Sequence, residues 1–139
     1  MTTNFENENL IKNKEKSSSN QNIIFLSAFP VNILPWGKED SYWHSEAFTV
    51  VFKKRRLDDL IEFIGDKEVY CYIRHLPTVN ILRKYFKLVD KGSEQYTYNG
   101  KDYIYIFALY IRPDKGKDVE ITEEDLLILE VGIAKGSWI

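Results

Sequence analysis

Apolar positions along the chain fall into short runs of two kinds, and the change of period between them marks the elements. Ile23 to Phe29 (IIFLSAF) is almost unbroken in its apolar character, the pattern of a strand covered on both faces and therefore central. Pro30 stops it. Pro30 to Leu34 leaves room for one helical turn before Pro35-Trp36-Gly37, and a polar loop holding His44 runs on to Glu46. Ala47 to Phe52 (AFTVVF) reads as a second strand, with a basic knot, Lys53 to Arg56, at its end. The next segment has helical spacing: Leu57, Leu60, Ile61 and Ile64 share one side, and Gly65 closes it.

The period switches again within Val69 to Phe86 (VYCYIRHLPTVNILRKYF), and the rest of the chain is arranged around this stretch. Val69 to Ile73 has the composition of a buried strand. From Thr78 onward Val79, Leu82 and Phe86 recur at helical spacing, while Arg83, Lys84 and Lys87 occupy the other side. Pro77 suits a first helical turn. A strand that feeds a helix start leaves free N–H groups at the carboxyl end of the sheet, which suits an anion such as phosphate. His75, with Arg74 beside it, stands at that switch.

Beyond it, Tyr96 to Tyr98 and Tyr103 to Ile111 flank Asn99-Gly100, which signals a hairpin with a type I′ turn. Arg112 to Lys117 (RPDKGK) is a polar turn, Thr122 with Glu124 and Asp125 starts a short helical turn, and Leu127 to Ala134 reads as a last strand. Strand, helix, strand, helix and hairpin predict one α/β domain, a mixed sheet with flanking helices, from residue 23 to 139. Residues 1 to 22, rich in Asn, Ser, Lys and Glu, read as a disordered tail.

Composition narrows the function. With 139 residues the chain suffices for one core, and its net charge of −2 argues against a general nucleic-acid coat. One cysteine, Cys71, excludes an internal disulfide framework, and two distant histidines make no metal-site pattern, so no cofactor or metal is expected. Cys71 reads as an inert small hydrophobe. The absence of a membrane-length apolar run or a secretion signal implies an intracellular protein without membrane contact. A lone histidine at a strand end is more often structural than catalytic. The tyrosines of the expected hairpin read as sheet packing before base stacking.

Three segments are similar to one known family, the small viral and prophage ring nucleases that act as anti-CRISPRs and their cellular relatives. FLSAFPVNILP at Phe25 to Pro35 resembles the family's first strand and turn, with N-A-F-S-x-N-M-L. YIRHLPTVNIL at Tyr72 to Leu82 resembles its I-G-H-x-x-T-x-x-L segment. DYIYIFALYIRPDKGKDVEITEEDL at Asp102 to Leu126 resembles its late strand, R-L-x-E-G-K-x-L and acidic helix start. The resemblance implies a homodimer that holds cyclic tetra-adenylate, the messenger of type III CRISPR defence, and linearises it without metal. In that reaction a ribose 2′-hydroxyl attacks the adjacent phosphate and an acid protonates the departing 5′-oxygen.

By the same resemblance His75 is the acid and Arg112 steadies charge on the phosphate, a role each side chain suits chemically. Ser27, Asn32, Arg74, Thr78, Asp114, Lys115 and Lys117 fall at positions facing the ligand. The pattern departs at three places. Arg74 replaces a glycine, Ser27 and Pro30 replace an asparagine and a serine, and Lys115 replaces a glutamate that Asp114 approaches one residue early. Two functions are therefore expected in order: an enzyme that cuts cyclic oligoadenylate, and a divergent relative that sequesters it or binds a CRISPR effector protein or DNA. Extra positive charge favours tight binding, which does not by itself raise turnover.

Overall fold

The computed structural model describes residues 21–37, 44–110 and 120–136. Six strands form one mixed sheet: β1 (Ile23–Leu26), β2 (Phe48–Arg55), β3 (Glu68–Cys71), β4 (Lys87–Asp90), β5 (Tyr103–Leu109) and β6 (Leu126–Lys135). Their order across the sheet is β2-β6-β5-β1-β3-β4. β1 pairs parallel with β3 on one side and β5 on the other, and β3 pairs parallel with β4. β6 runs antiparallel to both β5 and β2. The expected α/β class with a mixed sheet is what the chain adopts.

All four residues of β1 are buried because the strand has neighbours on both edges and cover on both faces. One face carries α1 (Leu57–Ile64) and α2 (Leu76–Leu82). Leu60 and Ile64 of α1 and Val79, Ile81 and Leu82 of α2 pack there against Phe25, Val69, Cys71 and Phe107. α1 stops at Gly65, whose φ of 58° is a left-handed conformation that glycine reaches without a Cβ penalty. The opposite face buries Ile24, Leu26, Ile104 and Ile106 under a 3-10 turn at Val31–Ile33 and under Tyr96 and Tyr98.

Several expectations differ in detail. β1 ends at Leu26 rather than Phe29, and β2 runs on through Arg55, so most of the basic knot is strand. β2 is an edge strand, where exposed Lys53 and Lys54 are tolerated and discourage pairing with another chain. The short strand β4 had no counterpart in the reading of the sequence.

The hairpin around Asn99-Gly100 does not form. A type I′ turn needs positive φ at both central residues, and among the described residues only glycines have positive φ, Gly100 among them at 86°. The Asn99 side chain instead accepts from the backbone N–H groups of Lys101 and Asp102 at 2.9 and 3.1 Å. That local turn frees Tyr96 and Tyr98 from any ladder. The Tyr98 N–H donates to the Ile33 carbonyl at 2.8 Å, which lays the segment across the sheet face.

Asp102 ties this cover to the start of β1. Its buried carboxylate accepts from the Asn22 N–H at 3.0 Å, the Tyr96 hydroxyl at 2.8 Å and the Asn99 amide at 3.2 Å. Burial, then the Asp102 charge, push the Tyr96 hydroxyl far above its usual range, and the same causes push Tyr98 up to about 12. Asp102→Ala is expected to destabilise the fold by about 2–3 kcal/mol, because a buried donor without an acceptor costs roughly 1–3 kcal/mol. Tyr96→Phe removes one donor of that network and should cost about 1 kcal/mol. Urea unfolding of both variants measures the difference, and equal, near-zero effects would mean the network contributes nothing.

Candidate functional site

β1, β3, β4 and β5 are parallel, so their carboxyl ends open on one edge of the sheet, the usual place for a ligand in an open α/β sheet. Two adjacent strands, β1 and β3, deliver the described sequence-selected residues to this edge. Ser27 follows β1 directly and is exposed, and Asn32 is exposed in the 3-10 turn beyond it. Arg74 and His75 follow β3 and are exposed. β5 ends at Leu109, and Arg112, Asp114, Lys115 and Lys117 lie outside the described residues.

His75 is the residue that starts α2, with extended φ of −67° and ψ of 102°, and its carbonyl accepts the Val79 N–H at 3.1 Å. The side chain is not spent on capping. Its Nδ1 lies 2.8 Å from the hydroxyl of Thr78, three residues on and 3% exposed. That spacing is a helical one, so the first turn of α2 itself brings the two together. The consequence is chemical. A hydroxyl can donate to a neutral Nδ1 or accept from a protonated one, so the contact survives either charge state of the ring. The other nitrogen, Nε2, is left for a partner outside the turn. Thr78, expected among the ligand contacts, is buried with its hydroxyl on the ring.

Arg74 takes a different path. Its Nε donates to the Gly92 carbonyl at 3.3 Å, across the turn that follows β4. Gly92 has a φ of 56°, and its N–H donates to Asp90 Oδ1 at 2.8 Å. Asp90 and Gly92 gave no functional signal in the sequence, because β4 itself was not expected. His44 is exposed in its loop. Cys71 is buried, and burial pushes its thiol up, which makes it a poor nucleophile.

Large apolar side chains are exposed on segments that leave this same edge: Val31 at 68%, Leu76 at 60%, Leu109 at 40% and Tyr110 at 38%. Among the described residues no group of three or more His, Cys, Asp or Glu could hold a metal ion, and no helix is long and apolar enough to cross a membrane.

No protein-family model matches the chain, and no curated protein matches it in sequence. Its fold is that of a viral protein, B116 of Sulfolobus turreted icosahedral virus, with a TM-score of 0.53 at 16% identity, over 79% of this chain and 97% of that one. At that identity the likeness concerns the architecture, a single α/β domain with a six-stranded sheet.

Proposed function

We propose that the protein binds cyclic tetra-adenylate at the carboxyl edge of its sheet and linearises it, with His75 as the general acid and Arg112 on the phosphate. The observation that supports this most is the exposed His75, held through Nδ1 by Thr78 at the end of an interior strand. An acid that gives up the proton on Nε2 keeps the one on Nδ1 throughout, and the Thr78 hydroxyl can accept from that Nδ1–H and hold the ring in place. The three segments that resemble the viral ring nucleases, together with the fold shared with a virus protein, support the same reading. In the mechanism, the ribose 2′-hydroxyl attacks phosphorus and loses its proton to water, the P–O5′ bond breaks to leave a 2′,3′-cyclic phosphate, and the Nε2 proton of the His75 ring goes to the departing O5′ and is regained from water.

The acting unit is a homodimer in this reading. A ring with two-fold symmetry suits two copies of His75 across an isologous interface, and the apolar side chains exposed at the edge are a surface that a second copy would cover.

Radiolabelled cyclic tetra-adenylate incubated with the protein should yield linear product in excess over protein, unaffected by a chelator. Arg112→Ala should weaken both binding and turnover, whereas Lys115→Glu should raise turnover by restoring the acidic group of the resembled pattern. Light scattering should give twice the chain mass. Tight binding of the ring without turnover, in the wild type and in Lys115→Glu, replaces the enzyme with a sequestering protein. The positive charge brought by Arg74 and Lys115 favours that second reading. Absence of binding points instead to an effector protein or DNA as partner.

A further inference from the structure

Between the first turn of α2 and the ends of β3 and β4 lies a cavity of about 230 Å³ that includes Arg74 but not His75. Its lining combines apolar side chains, among them Leu76 and Leu88, with Arg74, Arg83 and Asp90. The charges are unbalanced. Arg74 is held by the Gly92 carbonyl through Nε, so its terminal nitrogens remain, and Asp90 gives one oxygen to the Gly92 N–H. Neither Arg74 nor Arg83 takes part in the ion pairs seen among the described residues, such as Arg55–Glu130 and Lys91–Glu94.

Two guanidinium groups beside a single carboxylate favour an anion, and their forked donors match phosphate oxygens in pairs. The apolar wall has no use for a bare ion. It suits a flat or aliphatic body carried next to the charge. The volume decides the size of that body, since it lies below the roughly 300–1,000 Å³ of pockets that enclose a drug-sized ligand. A whole cyclic oligonucleotide is too large for it, whereas one nucleotide, partly open to solvent, is not.

We propose that this cavity is a binding site for a nucleoside monophosphate, the phosphate on Arg74 and Arg83 and the base against Leu76 and Leu88. The cavity shares Arg74 with the edge proposed for the ring but not His75, and a protein that never cuts the ring would still possess it.

Titration calorimetry of the full chain with 5′-AMP, inorganic phosphate and adenosine tests the proposal. 5′-AMP should bind at least tenfold tighter than either fragment alone. Arg83→Gln and Arg74→Gln should each weaken 5′-AMP at least tenfold with unchanged thermal unfolding, as both side chains are exposed and change no core contact. Equal affinity for 5′-AMP and inorganic phosphate would make the site a simple anion site and overturn the assignment. So would 5′-AMP binding that survives both substitutions, or no binding at all. None of these outcomes depends on whether cyclic tetra-adenylate is cut.

Discussion

Replacing His75 by alanine is expected to lower the single-turnover rate on cyclic tetra-adenylate by about a hundredfold or more, the usual range for loss of a positioned general acid. Binding of the ring should change little, because the proton transfer is felt in the transition state and an exposed ring contributes little to the ground-state complex. The companion substitutions separate chemistry from positioning. Thr78→Val keeps the shape of a side chain that is 3% exposed but removes the hydroxyl 2.8 Å from Nδ1. It should cost about tenfold in rate, as a loss of orientation rather than of the acid itself. Thr78→Ser retains the hydroxyl and should restore most of the rate, an outcome that simple loss of packing would not give. Rates of linear product formation by His75→Ala close to wild type would remove His75 from the mechanism whatever the other variants do.

What could be read in the sequence follows from how local each cause is. The strands β1, β3 and β5 were legible because interior parallel strands must be apolar on both faces, and that leaves unbroken runs such as IIFL and YIYIFAL. The helix α1 was legible from its spacing and its closing glycine. The contact between His75 and Thr78 is local too, three residues along one helical turn, although the sequence pattern had placed Thr78 against the ligand rather than on the ring. Other features are fixed from a distance. β4 is four residues long with charges at both ends, and only its pairing with β3 makes it a strand. Asn99-Gly100 carries the hairpin signal, but Asn99 spends its side chain on Lys101 and Asp102, and β5 finds better partners in β1 and β6. Arg74 meets Gly92 across eighteen residues of chain. Hence the cavity between α2 and β4 had no signature in the sequence, while the histidine next to it did.

Phe25→Ala is expected to destabilise the fold by about 3–5 kcal/mol, the range for removing a buried phenyl ring. Phe25 has no exposed surface and sits where three elements meet. Its ring lies 5.1 Å from that of Phe86 beyond α2, and 4.4 Å and 6.2 Å from Phe107 and Tyr105 on β5. Two of these contacts are edge-to-face, an arrangement that adds to the apolar area each ring buries. Alanine there leaves a void that β1, fixed by backbone pairing to β3 and β5, cannot close by moving. A domain of this size is stable by only about 5–15 kcal/mol, so the loss is a large share of the total. Val51→Ala is the control, since that side chain is 59% exposed on the edge strand and its truncation should change stability by about 0.5 kcal/mol or less. Because Ser27 follows β1 and His75 follows β3, a loosened β1–β3 pair also misplaces the edge proposed to hold the cyclic ligand. Phe25→Ala should therefore lose ring binding at temperatures where circular dichroism still reports a folded majority. Urea midpoints for Phe25→Ala and Val51→Ala that differ by less than about 1 kcal/mol would show that the core is centred elsewhere than on this ring.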